Sequence, residues 1–196
     1  GKFHFTEIPR VIGANNEYTL EKVKNFYKKF INQVHLVTSI EVAEITKIYE
    51  NVYRSVNIGL VNEFKTLCLK MDIDPFEVIN AAGTKPFGFS GFYPGPGLGG
   101  HCIPIDPFYL TWSAKKYNLK VQFIELSGII NSSMPLFVVS RIVMCLNTIS
   151  KSVNGSNILI CGIAYKKNIE DMRESPAGPI IEELKIMGAN IHLYDP

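Results

Sequence analysis

Cysteine is scarce in these 196 residues and never paired: Cys68, Cys102, Cys145 and Cys161 stand far apart, with no C-x-x-C. That spacing suggests neither a zinc site nor a disulfide framework, so no metal is expected and a reducing, cytoplasmic setting fits. Charge of one sign is lacking too. Twenty Lys and Arg against 18 Asp and Glu leave a net +2. No Lys/Arg block is interleaved with aromatics, so nothing argues for a nucleic-acid partner. No unbroken apolar run approaches the roughly 18 residues that span a bilayer, and the opening residues do not read as a signal peptide; no membrane is expected. Also missing is a G-x-G-x-x-G turn between a strand and a helix, the dinucleotide fingerprint.

What remains is ordinary for a folded protein: 46% hydrophobic and 19% charged residues, in a chain long enough for one or two domains. Residues 10–13 read as a short strand, 17–31 as an amphipathic helix and 34–37 as a second strand, the end of an α/β unit. A helical pattern then runs from about Ser39 to Met71, with Thr38 and Glu41 as its capping box. Its apolar positions include Val42, Ile45, Tyr49, Val52, Tyr53, Val56, Leu60, Phe64 and Leu67. They are too many for one seam, so the helix should be buried on more than one side. Gly59 inside it suggests a close crossing or a bend. Lys47 and Asn51 share a face, with Ser55 and Asn62 near the same stripe. An ammonium and an amide there suit oxyanion stabilisation; a solvated lysine fits as well.

Asp74-Pro75 opens a short helix closed by Gly83. After a Gly/Pro-rich loop, three more helices are expected: Pro107 to Tyr117, residues 121–131, and a third restarted at Ser133-Met134-Pro135 and ending near Ser150. Asn131 and Ser132 at that joint read as ligand-facing or as caps. Residues 158–163 and 191–194 are strands around a helix opened by Ser175-Pro176, the start of a second α/β domain. The turn between holds Lys166, Lys167 and Arg173, cations ahead of a helix N-terminus where phosphate binds well. The chain opens on Gly1 and stops at Pro196 just past a strand, so we expect a piece of a longer protein.

The stretch Phe92-Tyr93-Pro94-Gly95-Pro96-Gly97-Leu98-Gly99-Gly100-His101-Cys102-Ile103-Pro104-Ile105-Asp106-Pro107 stands out. It is too rich in Gly and Pro for helix or central strand and leads into a helix N-capped by Asp106, with Pro107 first. Cys102 then lies ahead of a helix N-terminus, where backbone N–H groups favour a thiolate. Asp106, four residues on, is placed to orient a water or a partner group. A stiff, open loop with one thiol suggests covalent catalysis; a tight structural turn with a buried Cys behind it has the same composition.

GPGLGGHCIPIDP, preceded by KPFGFSGFYPGPG and followed by FYLTW, resembles the catalytic-cysteine motif of the UDP-glucose/GDP-mannose dehydrogenase family. Its form is most similar to the branch acting on UDP-N-acetylhexosamines, with UDP-N-acetylglucosamine the expected sugar. The likeness runs through the whole chain, and ITKIYENVYRSVNIGLVNEF resembles the family's long helix. The resemblance implies a mixed α/β chain: residues 1–38 end an N-terminal NAD-binding α/β domain, 39–150 form an all-helical central domain with a long dimerisation helix, and 151–196 begin a C-terminal UDP-sugar-binding domain. It implies NAD-dependent, four-electron oxidation of a C6 hydroxyl to a carboxylate for surface polysaccharide precursors, with Cys102, Lys47, Asn51 and Asp106 catalytic. Tyr93, Gly95, Gly97, Leu98, Gly99 and Lys166 would meet the UDP-sugar, and Gly100, His101 and Arg173 the NAD. A homodimer through the long helix is implied as well. UDP-glucose or UDP-N-acetylmannosamine are alternative substrates, and the alternative for this chain by itself is a non-catalytic dimerisation and substrate-binding module. The family's loop arginine is missing, since the matching stretch reads Lys85-Pro86-Phe87-Gly88-Phe89; Phe87 and Phe89 shape an acetyl pocket or belong to the core. The family's glutamate base lies in a segment this chain does not contain.

Overall fold

A computed structural model describes residues 3–196. Its contacts group the chain into two compact units, one running to Glu50 and one from Asn51 to Pro196, and each is described by itself.

In the first unit β1 (Arg10–Ile12) and β2 (Val34–Leu36) pair in parallel, Val11 opposite His35. They flank α1 (Glu17–Tyr27). Asn16 caps α1, its side chain accepting the Thr19 N–H at 2.8 Å. Phe5, Phe26, Tyr27 and Phe30 form an aromatic cluster beside this sheet.

The helix α2 (Ile40–Lys70) starts in the first unit and continues into the second. Ser39 rather than Thr38 caps it: the Ser39 hydroxyl accepts the Val42 N–H at 3.3 Å. The second unit adds α3 (Pro75–Ala82), α4 (Asp106–Ala114), α5 (Gln122–Thr148), β3 (Asn157–Cys161), α6 (Ala177–Ile186) and β4 (Asn190–Tyr194). Asp74 caps α3 through the Phe76 N–H. Asn118, at φ +55°, closes the short turn after α4 in the left-handed region that an amide side chain tolerates. β3 and β4 are parallel, Leu159 opposite His192. The core of this end is Val139 of α5, Val153, Ile180 and Leu184 of α6, and Ala189, with Leu184 wholly enclosed.

Two expectations need correction. The two helices expected at 121–131 and 133–150 are one, α5, running straight through Pro135. A proline there forfeits one N–H bond to the carbonyl four residues back, that of Asn131; Pro135 is buried, and Gly97 of the glycine-rich loop lies against it. A continuous α5 has a mean hydropathy of 1.7 over its most apolar 18-residue window, long and apolar enough by length and composition to cross a membrane. Ser127 and Asn131 on it are nonetheless buried and hydrogen-bonded within the protein, which is how a core helix uses its polar residues. The long helix keeps only part of the expected burial, at Val52 and Val61. Asn51, Ser55 and Asn62 are enclosed, whereas Leu60 and Leu67 are 61% and 55% exposed. Gly59 serves the close crossing: a Cβ there would lie 3.3 Å from Ser127 Cα of α5.

Candidate functional site

The thiol and carboxylate of the glycine-rich stretch are organised by the start of α4. The Cys102 carbonyl accepts the N–H groups of Ile105 (3.1 Å) and Asp106 (2.9 Å), so the helical ladder begins at Cys102, whose thiol is free and exposed. Asp106 is the first residue of α4, not its cap, and Pro107 follows it. Its carboxylate is used elsewhere: Oδ2 accepts from Asn51 Nδ2 of α2 at 2.5 Å. Asn51 is 2% exposed, and Arg54 one turn on donates to its Oδ1. A guanidinium on the oxygen fixes which way the amide points and leaves its NH2 facing Asp106. Three residues chosen from sequence, Cys102, Asp106 and Asn51, thus share one locality. Lys47 falls in the other unit, where its exposed ammonium meets Glu50 at 3.3 Å.

Behind the thiol, the loop is pinned at several points. Tyr93 sends its hydroxyl to Asn80 Oδ1 at 2.8 Å and stacks on Phe76, which ties it to α3. Gly95 donates its N–H to Asn62 Oδ1 at 2.9 Å and receives Lys65 Nζ on its carbonyl at 3.0 Å. Gly97 lies against Asn131, Pro135 and Pro176. Leu98 lines a small cavity of about 40 Å³ with Ser55, Pro104, Gly128, Asn131 and Ser132. Asn131 is therefore not a ligand-facing residue at a joint. It is 3% exposed, receives Asn62 Nδ2 at 3.0 Å and donates to the Ser55 carbonyl at 2.9 Å. Gly99 is required by Tyr165, whose Cβ would lie 2.4 Å from a side chain there. The buried Gly100 donates to the Arg173 carbonyl at 3.3 Å, next to the exposed His101.

The cationic turn after β3 stands beside this loop. Lys166 and Lys167 line an open cleft of about 810 Å³ with Gly162, Asn168 and Asp195. Asp195 accepts the N–H groups of Ile163 (2.7 Å) and Ala164 (3.0 Å), and these bonds hold its carboxyl below the usual range. Arg173 does not reach into the cleft unpaired; its guanidinium grips both oxygens of Asp171, at 2.7 Å from Nη2 to Oδ2. Phe87, 79% exposed, and Phe89 line a separate apolar hollow of about 770 Å³ with Tyr53, Leu60, Phe64 and Phe92, so they are not core. No group of three His, Cys, Asp or Glu among the described residues could hold a metal ion.

Sequence reasoning passed over Arg54, Lys65 and Tyr165. The first two were legible in principle. Asn51, Arg54, Asn62 and Lys65 recur at helical spacing, so a polar stripe on an apolar helix extends about five turns beyond Lys47.

The family model of the UDP-glucose/GDP-mannose dehydrogenase central domain matches residues 41–133, and that of the same family's UDP binding domain matches residues 159–196. The chain is 36% identical over 190 residues to a UDP-N-acetyl-D-mannosamine dehydrogenase of Methanococcus maripaludis, covering 97% of this chain and 43% of that protein. It is 34% identical over 192 residues to a UDP-N-acetyl-D-glucosamine 6-dehydrogenase of Pseudomonas aeruginosa, covering 97% and 45%. The structure of a UDP-D-ManNAc dehydrogenase from Pyrococcus horikoshii superposes with a TM-score of 0.90 at 30% identity, over 97% of this chain and 45% of that one. The chain thus spans less than half the length of these relatives. With two models of one family together matching well over half of it, at the cysteine loop and at the cationic turn alike, this chain belongs to the UDP-glucose/GDP-mannose dehydrogenase family.

Proposed function

We propose that the whole protein oxidises the C6 hydroxyl of a UDP-N-acetylhexosamine to the carboxylate, with Cys102 as the covalent nucleophile. The observation that carries this reading is an exposed thiol at the start of α4, one turn before a carboxylate held by a buried amide. The aldehyde carbon formed at C6 accepts the Cys102 sulfur, and its oxygen takes a proton to give a thiohemiacetal. Loss of a second hydride from that carbon, with release of the hydroxyl proton, leaves a thioester. Water then adds to the thioester carbon, the C–S bond breaks, and the acid and free thiol separate. Covalent capture retains a reactive aldehyde and divides one hard oxidation into tractable steps. Asp106, fixed by Asn51, orients water and moves its proton. Asn51 and Lys47 are the proposed oxyanion donors, the latter on family resemblance alone.

Hydride acceptance is the chemistry NAD supplies when bound. The turn between β1 and α1 does not fit a dinucleotide: it reads Gly13-Ala14-Asn15-Asn16, and a Cβ on Gly13 would collide with the Ser39 carbonyl. That glycine serves packing; the proposed roles of Gly100, His101 and Arg173 toward NAD rest on resemblance. Lys166 at the mouth of its cleft is the proposed phosphate contact. The free thiols suit a cytoplasmic setting, and the uncovered apolar stripe of α2 suits a homodimer.

The test is the full-length protein with NAD and a panel of UDP-N-acetylglucosamine, UDP-N-acetylmannosamine, UDP-N-acetylgalactosamine and UDP-glucose. A four-electron oxidation yields two NADH per sugar consumed. The names of the relatives point to the mannosamine and glucosamine sugars, and the panel decides between them. Cys102→Ser is expected to keep UDP-sugar binding and lose acid formation; full turnover by that variant rules out the covalent route.

A further inference from the structure

The loop from Pro86 to Gly99 carries the thiol forward without helix or strand of its own. Pro94 and Pro96 have no N–H to give, so a peptide between two stiff prolines is the natural place to hold it. That peptide is Gly95, and both its polar groups are taken by side chains one turn apart on α2. Asn62 Oδ1 accepts the N–H at 2.9 Å, and Lys65 Nζ donates to the carbonyl at 3.0 Å.

Neither side chain is free to turn away. The Asn62 NH2 is held by Asn131 Oδ1 at 3.0 Å, and Asn131 is held by the Ser55 carbonyl at 2.9 Å, so the Asn62 oxygen can only face the loop. Lys65 lies over the Phe137 ring of α5 at 5.3 Å and makes no ion pair among the described residues. Burial pushes its pKa down. A lysine drawn out of water to meet one neutral carbonyl is a poor stabiliser of the fold and a good positioner of that carbonyl.

We propose that Asn62 and Lys65 are positioning residues that clamp the Gly95 peptide and thereby set the placement of the Cys102 loop against the long helix. The role in turnover rests on the oxidation proposed above; the clamp itself does not.

The experiment uses the full-length protein and three variants. Lys65→Met keeps the stem and its contact with Phe137 while removing the ammonium. Lys65→Arg keeps the cation. Asn62→Asp keeps an acceptor for Gly95 and loses the donor to Asn131. In Lys65→Met, amide exchange across residues 93–102 should quicken by about tenfold, the worth of one charge-assisted hydrogen bond. Its kcat should fall by a similar factor at unchanged KM for NAD, with Tm close to wild type, and Lys65→Arg should recover most of both. Asn62→Asp should show the same pattern of exchange. A folded Lys65→Met with wild-type exchange over 93–102 overturns the clamp, as does failure of both Lys65→Met and Asn62→Asp to fold, which would make the pair core structure. A wild-type protein that oxidises no UDP-sugar overturns the reaction instead, and the exchange data still decide the clamp.

Discussion

Asp171 and Arg173 show how tightly an exposed pair can be tuned by geometry. The guanidinium meets both carboxylate oxygens, the Arg173 N–H adds a further bond at 3.0 Å, and together they bring the Asp171 carboxyl down from 3.8 to about 2. The sign follows directly. A carboxyl depressed by folding contributes fully above its ordinary range, and the contribution fades as the pH falls through the native value of about 2. The Asp171 carboxyl resonance should therefore titrate near 2 in the native protein, and Arg173→Ala should return it toward 3.8; a midpoint unmoved by that change would mean the pair is not formed. Around the thiol, Cys102 and Asp106 stand four apart in one motif, whereas Asn51, far from them in sequence, was singled out by family resemblance. Arg54 and Lys65 share a legible polar stripe, but spacing alone does not distinguish them from solvated charges; only the fold shows that these two are half-enclosed.

Strand and helix positions were readable wherever periodicity and caps agreed: α1, α3, α4, α6 and both strand pairs lie where pattern placed them. The long helices were harder, for opposite reasons. In α5 a proline ordinarily marks a boundary, but Pro135 sits where the freed Asn131 carbonyl faces Gly97 of the loop rather than a void, so the break is absorbed. In α2 the hydrophobic pattern holds at Val52 and Val61, whereas Leu60 and Leu67 stay exposed and the polar Asn51, Ser55 and Asn62 are enclosed. Hydrogen-bond partners on other elements, invisible in a linear pattern, decide that face. The crossing at Gly59 gives a direct check. Gly59→Val would push a branched side chain into the backbone of Ser127, already 3.3 Å from an added Cβ. A loss of about 1–3 kcal/mol in denaturant unfolding is expected, despite valine's better helix propensity.

One copy of this chain leaves Tyr53, Leu60 and Leu67 of α2 exposed, together with the aromatic hollow bounded by Phe87 and Phe89. Apolar surface of that extent on a helix is what a second copy would cover. Sedimentation of the full-length protein should show a dimer that Leu60→Arg dissociates, without change in helix content; a monomer at all concentrations in the wild type would refute the proposed pairing. A different consequence follows from the cysteines. Cys102, Cys145 and Cys161 are all exposed and only Cys68 is enclosed, so an alkylating reagent should consume three sulfhydryls per native chain and a fourth after denaturation. Replacing Cys145 and Cys161 with serine would leave a single accessible sulfhydryl, turning the loop into a site where one fluorophore or spin label can be attached.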